Sequence, residues 1–173
     1  MSEPLPQDVA FLRQAIALAR LAREGGADPF GAVLAYDGRA VAASSDRSVA
    51  LSDPTAHAEL DVIRSYCRQA HCFALEGYTL YCSAEPCAMC AGAIHWARIS
   101  RVVFSVPQAD LQRRSGGRPK LGCAAIINSG HRRVEIVGPL LREEGLAVFA
   151  GYDWPTKVAR HQALFGRAEK GTQ

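Results

Sequence analysis

Apolar and polar residues recur along this chain with two different periods, and the switches between those periods mark its elements. From Asp8 to Glu24, Val9, Leu12, Ile16 and Ala19 fall at helical spacing with Arg23 one turn further on, so an amphipathic opening helix is predicted, stopped by Gly25-Gly26. The runs Gly31 to Tyr36 and Arg39 to Ala43 flank Asp37-Gly38, a dipeptide suited to a type I′ turn, and predict an antiparallel hairpin. Asp53-Pro54-Thr55 then breaks the chain and offers Thr55 as an N-cap. Val62, Ile63, Tyr66 and Cys67 predict a helix from Ala56 to about Arg68. Thr79 to Ser83 reads as a strand, followed by a helix with Pro86 at its first position. Arg101 to Val106 is a further strand, Pro107 to Gly122 a polar connection, and Arg133 to Val137 a last strand. Leu140 to Phe149 and Thr156 to Phe165 read as closing helices, separated by Gly151-Tyr152-Asp153-Trp154-Pro155.

This alternation predicts the α/β class: a three-layer α/β/α sandwich around a mixed sheet of about five strands, since crossover helices must cover both faces. The 173 residues suit one domain, with a core over about residues 8–150 and a helical extension over 151–173. Composition adds little beyond an ordinary globular protein, with 49% hydrophobic and 21% charged residues. A net charge of +3 is too small to imply a polyanionic partner by itself. No apolar run reaches the roughly 18 to 20 residues of a membrane span, and the first residues carry no leader-like pattern, so a cytoplasmic, membrane-free protein is expected. In that setting the six cysteines are expected as thiols or metal ligands rather than disulfides.

Two phrases change the picture: His57-Ala58-Glu59 and Pro86-Cys87-Ala88-Met89-Cys90. Cys87, Cys90, Ala91 and Ile94 share one helix face, so both thiols can reach one ion. Unpaired N–H groups at the helix start favour their thiolate forms. One His and two Cys favour zinc over magnesium or calcium, and three ligands leave a fourth position open, as in a catalytic site. Cys67, Cys72, Cys82 and Cys123 are left as small core residues. Extending the apolar stripe of the preceding helix one turn backward lands on Glu59, and a carboxylate on a buried face needs a partner or a task. Two residues from His57, it is a poor fourth ligand and well placed to move a proton to or from water.

These motifs resemble the zinc-dependent cytidine/deoxycytidylate deaminase-like superfamily, whose signature pairs H-x-E with P-C-x-x-C. Asp53-Pro54-Thr55-Ala56, Thr79-Leu80-Tyr81 and Ala91-Gly92-Ala93-Ile94 extend the resemblance toward its guanine deaminase and tRNA adenosine deaminase branches, over roughly residues 8 to 150. Pro29-Phe30-Gly31-Ala32-Val33 and Ile94-His95-Trp96-Ala97-Arg98 look like guanine deaminases, and Arg101-Val102-Val103-Phe104 like the tRNA enzymes. The resemblance implies zinc on His57, Cys87 and Cys90, Glu59 as the catalytic proton carrier, and substrate contacts from Phe30, Asp46, Ala58, Trp96 and Trp154. Asp46 departs from the pattern, because both branches usually carry Asn there; an ionised Asp only accepts hydrogen bonds, so the substrate is expected to present donors to it.

Hydrolytic deamination of a small amino-heterocycle, guanine-type purines first, is therefore the leading expectation, with a homodimer implied by the resemblance. Adenosine-to-inosine editing of tRNA is the alternative, motivated by the basic run Arg113 to Lys120 and by Lys157, Arg160, Arg167 and Lys170. A non-catalytic zinc-stabilised RNA-binding module is a third. Phe30 and Trp96 remain open between core aromatics and walls of a base pocket, and Tyr152 and Trp154 between a helix anchor and a lid. The basic run and His131-Arg132-Arg133 also read as solvated loops, and His95 as a packing residue rather than a ligand.

Overall fold

The computed structural model describes residues 3–116 and 121–165. The opening helix α1 (Asp8–Glu24) buries Leu12, Ile16 and Ala19 of the predicted stripe and adds Phe11 and Ala15, while Val9 and Arg23 at its ends are half-buried. It lies so close to the sheet that a Cβ on Gly31 would meet the Ala15 carbonyl oxygen at 2.3 Å, so only glycine fits at the start of the first strand. β1 (Gly31–Tyr36) and β2 (Arg39–Ser45) pair antiparallel through Asp37-Gly38, whose φ values of 48° and 69° are those the predicted turn requires.

A short helix α2 (Ser48–Leu51) precedes α3 (Ala58–Gln69), then come β3 (Thr79–Ala84), α4 (Ala88–Trp96) and β4 (Arg101–Val106). α5 (Gln108–Ser115), α6 (Cys123–Ile127), β5 (Glu135–Val137), α7 (Arg142–Ala147) and α8 (Trp154–Phe165) complete the order. The five strands lie in the order β2-β1-β3-β4-β5. β1 is antiparallel to both neighbours, while the β3–β4 and β4–β5 pairs are parallel, as helical crossovers require.

Strand alternation sorts the core into two sets. Ala32, Leu34, Leu80, Cys82, Val102 and Phe104 face α3, α4 and α6; Val33, Ala35, Tyr81 and Val103 face α1 and α7. The sheet is thus covered on both sides, in the three layers expected. A buried ion pair pins the far end of it. Asp8 accepts hydrogen bonds from Arg101 Nη1 and Nη2 at 2.7 and 2.8 Å and from the Tyr81 hydroxyl at 2.9 Å.

The boundaries differ from expectation where a side chain captures the backbone. Thr55 does not cap α3: its N–H and hydroxyl both go to Asp53 Oδ1, at 2.8 and 2.6 Å, and His57 is the N-cap residue instead. Pro86 does not open α4, because Cys87 is still extended, with ψ 172°, and the helix begins at Ala88. The Pro107 to Gly122 connection contains α5, and α6 opens directly after Gly122. β5 starts late because the Asn128 side chain takes both the N–H and the carbonyl of Val134, at 2.7 and 3.2 Å. α7 starts late because the Leu140 N–H still bonds the Phe104 carbonyl of β4 and Leu141 has φ 54°. α8 begins two residues early, capped by Asp153, which accepts the Thr156 N–H at 3.1 Å. The expectations for residues 117–120, including part of the basic run, and for Arg167 and Lys170 lie outside the described residues.

Candidate active site

Two helix starts converge at the carboxyl ends of the central strands. His57 is extended at φ −68°, ψ 151°, held by its N–H to the Thr55 carbonyl at 2.9 Å, and its carbonyl accepts the first bond of α3 from Asp61 at 2.8 Å. Cys87 has the same role on α4, where its carbonyl accepts the Ala91 N–H at 2.8 Å. A residue in the cap position aims its side chain off the helix end rather than along its flank; His57 and Cys87 sit there, and Cys90 lies in the first turn of α4.

His57 Nδ1 lies 3.6 Å from Cys87 Sγ and 3.7 Å from Cys90 Sγ, and the two sulfurs are 3.6 Å apart. A tetrahedral zinc with bonds of about 2.3 Å to sulfur and about 2.05 Å to nitrogen holds such ligand atoms roughly 3.6 to 3.8 Å apart. The triangle fits that ion, and among the described residues these three form the one cluster of metal-ligating side chains so arranged. The free thiols show the matching chemistry. A hydrogen bond from the Cys90 thiol, with the neighbouring His57, lowers the Cys87 thiol to about 3. Bonding to Cys87 and burial push Cys90 up, and the contact with Cys87 also raises His57.

Cys90 is the fully buried corner of the triangle, whereas His57 and Cys87 line a cavity of about 210 Å³ together with Glu59. The Glu59 carboxylate is 8% exposed and its Oε2 is 3.7 Å from Cys90 Sγ. Burial raises its pKa to about 7, a value suited to both taking and giving a proton near neutrality. Phe30, Leu111 and Trp154 give the cavity apolar walls; Gln108, Gln112 and Lys157 add polar groups. The Lys157 ammonium is bound to the Asp28 carboxylate at 2.8 Å and lies over the Phe30 ring at 4.9 Å.

Of the residues expected to meet substrate, Phe30 and Trp154 line this cavity and the others do not. Asp46 is buried beside it, with its N–H on the Phe30 carbonyl at 3.0 Å and its Oδ1 accepting the Ser48 N–H and hydroxyl at 3.0 and 2.6 Å. Ala58 is fully buried in the first turn of α3. Trp96 is 78% exposed at the end of α4 and does not line this cavity. His95 packs instead, with Nδ1 2.8 Å from the Ile127 carbonyl oxygen. Tyr152 donates to Asp28 Oδ1 at 2.6 Å, anchoring the segment that brings Trp154 to the cavity.

The α5 wall, Gln108, Leu111 and Gln112, escaped the sequence reading because a single apolar position gives no periodicity. Its remaining signal is Asp110 in the first turn with Arg113 and Arg114 in the last, the order that suits a helix dipole.

An open His-Cys-Cys triangle, an adjacent buried acid and a three-layer sheet define the class of zinc-dependent deaminases. The comparisons agree. Residues 5–106 match the family described as "Cytidine and deoxycytidylate deaminase zinc-binding region". The chain belongs to that family and is a zinc-binding hydrolytic deaminase. It is 34% identical over 151 residues to a probable cytosine deaminase of Schizosaccharomyces pombe, covering 84% of this chain and 92% of that protein. It is also 34% identical over 146 residues to a tRNA-specific adenosine deaminase of Bacillus subtilis, covering 81% and 84%. The crystal structure of guanine deaminase from Bacillus subtilis superimposes with a TM-score of 0.61 at 30% identity, covering 83% of this chain and 92% of that one.

Proposed function

We propose that this chain deaminates a free amino-heterocycle, guanine-type purines first, with His57, Cys87 and Cys90 as zinc ligands and Glu59 as the proton carrier. The observation that carries the reading is Glu59: a buried carboxyl on the cavity wall, beside the ligand triangle. Zinc in an open site of this kind supplies Lewis acidity and brings the pKa of water to about 7.

Hydrolytic deamination adds water to a ring carbon and breaks the carbon–nitrogen bond to the amino group. The water proton must leave its oxygen and reach the departing nitrogen, which goes as ammonia. Glu59 has the position and the acidity to carry it. Phe30 and Trp154 form apolar walls that suit a flat ring, and their place on the cavity supports them as substrate contacts. A cavity of about 210 Å³ suits a single base better than a nucleotide chain. Asp46, hydrogen-bonded just behind Phe30, is assigned to substrate choice, and Ala58 to the backbone at the start of α3.

The test is ammonia release by zinc-loaded protein from guanine, adenine, cytosine and their nucleosides. Glu59→Ala is expected to lower turnover by about 10²- to 10⁴-fold while zinc stays bound. A near-normal rate would remove Glu59 from the chemistry.

The second reading is adenosine deamination in tRNA, supported by the similarity to tRNA-specific adenosine deaminases and by exposed Arg113 and Arg114 at the end of α5. Activity on a tRNA fragment alone, falling steeply with salt, would favour it.

A further inference from the structure

The geometry points to Glu85 as a positioning residue that fixes the α5 wall of the cavity against the cysteine loop. The inference rests on the reading above only in taking this cavity as the substrate's. Glu85 lies between β3 and Cys87 and lines the cavity, yet its carboxylate is spent on the backbone of two other segments. Oε2 accepts the Gln108 N–H at 2.9 Å, and Oε1 accepts the Cys123 N–H at 2.9 Å. Those are the first residues of α5 and α6, so one carboxylate satisfies an otherwise unpaired donor at each of two helix starts.

The main chain of Glu85 completes the clasp. Its carbonyl accepts Gln108 Nε2 at 2.8 Å, and its N–H donates to the Val106 carbonyl at 2.8 Å. Two of these four hydrogen bonds register the residue two before a metal ligand to Gln108, at the start of the helix that also carries Leu111 and Gln112; a third holds Val106 just ahead of that helix, and the fourth holds the start of α6. A Cβ on Gly122 would meet Oε1 at 3.2 Å, so glycine there leaves room for the carboxylate. α5 has little apolar anchorage of its own: among its residues only Gln108, Asp110 and Leu111 are buried, and Asp110 is bound to Arg142 at 2.7 Å. Without Glu85 the wall keeps its outer tie to α7 and loses its inner one.

The zinc-loaded wild type is compared with Glu85→Gln, Glu85→Ala, Gln108→Ala and Gln108→Pro. A carboxamide accepts from at most one of the two N–H groups without turning its own NH2 toward the other. Proline is tolerated at the first helical position, and Pro107 already has the extended ψ of 148° that a following proline demands, so the step from Ala to Pro at 108 deletes the N–H alone.

Expected are one zinc per chain throughout, faster amide hydrogen exchange in α5 but not α4, and a KM for guanine raised about tenfold with a smaller change in kcat. Gln108→Pro should exceed Gln108→Ala in both effects. Unchanged α5 exchange and KM in folded Glu85→Gln would overturn the proposal. So would zinc loss in proportion to activity, which would make Glu85 a support of the metal. The exchange measurement needs no turnover: loosened α5 beside an inactive wild type would sink the deaminase reading and keep the clasp. Should both Glu85 variants fail to fold, equal exchange and KM in the two Gln108 variants would still overturn it.

Discussion

At the residue scale the site is an economy of acceptors. Glu59 is the one acid on the cavity wall whose charge is set chiefly by burial, whereas Glu85 is committed to two backbone donors. Asp46 lies between these cases, with Oδ1 held by Ser48. In Asp46→Asn the amide oxygen can still accept from Ser48, while a negative charge close to His57 is removed. The ratio of kcat/KM for guanine to that for adenine is expected to change several-fold in this variant. An unchanged ratio would strike Asp46 from substrate choice. The neighbouring motif residues were legible in the sequence because metal ligation fixes residue type and spacing together. Trp96 was not, since an aromatic beside a motif carries no information about which way it faces.

At the element scale α4 stands apart. Its sequence, Ala88-Met89-Cys90-Ala91-Gly92-Ala93-Ile94-His95-Trp96, is apolar nearly all round, a pattern of helices covered on every side. One face packs on the core through Cys90, Ala91 and Ile94, yet Met89, Gly92 and Ala93 are only half-buried and Trp96 is exposed. A Cβ on Gly92 would meet nothing within 4 Å, so the helix surface at that position is open. We propose this face as the contact of a homodimer. Sedimentation at micromolar concentration should give a dimer for the wild type and a monomer for Trp96→Glu, with zinc content unchanged. A wild-type monomer would refute the assignment. The shifted element boundaries belong to this scale too: Asp53, Asn128 and Asp153 each capture a backbone group, of Thr55 ahead of α3, of Val134 just ahead of β5 and of Thr156 in the first turn of α8.

At the scale of the whole molecule, the Asp8–Arg101–Tyr81 cluster ties the first helix to the two central strands. Burial pushes the Asp8 carboxyl up, but hydrogen bonds from Arg101, the Leu5 N–H and Tyr81 outweigh it, so its pKa lies below the ordinary value of 3.8. A depressed pKa contributes stability that is complete above the unfolded value and lost as pH falls through the folded one. Denaturant unfolding is therefore expected to give a free energy that declines below about pH 4. Asp8→Asn should flatten that decline and cost up to about 3 kcal/mol at neutral pH, because it breaks the buried pair and leaves Arg101 only its contact with the Glu135 carboxylate at 3.1 Å as an ionic partner. An equally steep decline in the variant would assign the acid sensitivity elsewhere.

The sequence by itself determined the periodic elements, the three-layer architecture, the ligand triad and its acid, because each is written in residue type at short, regular spacing. Only the tertiary structure decided that Phe30 and Trp154, 124 positions apart, line one cavity, that α5 lines it too, and that Glu85 joins three segments. Those facts depend on contacts between distant parts of the chain, where no local period survives and a single hydrogen bond to a backbone group can be made by any segment that arrives there.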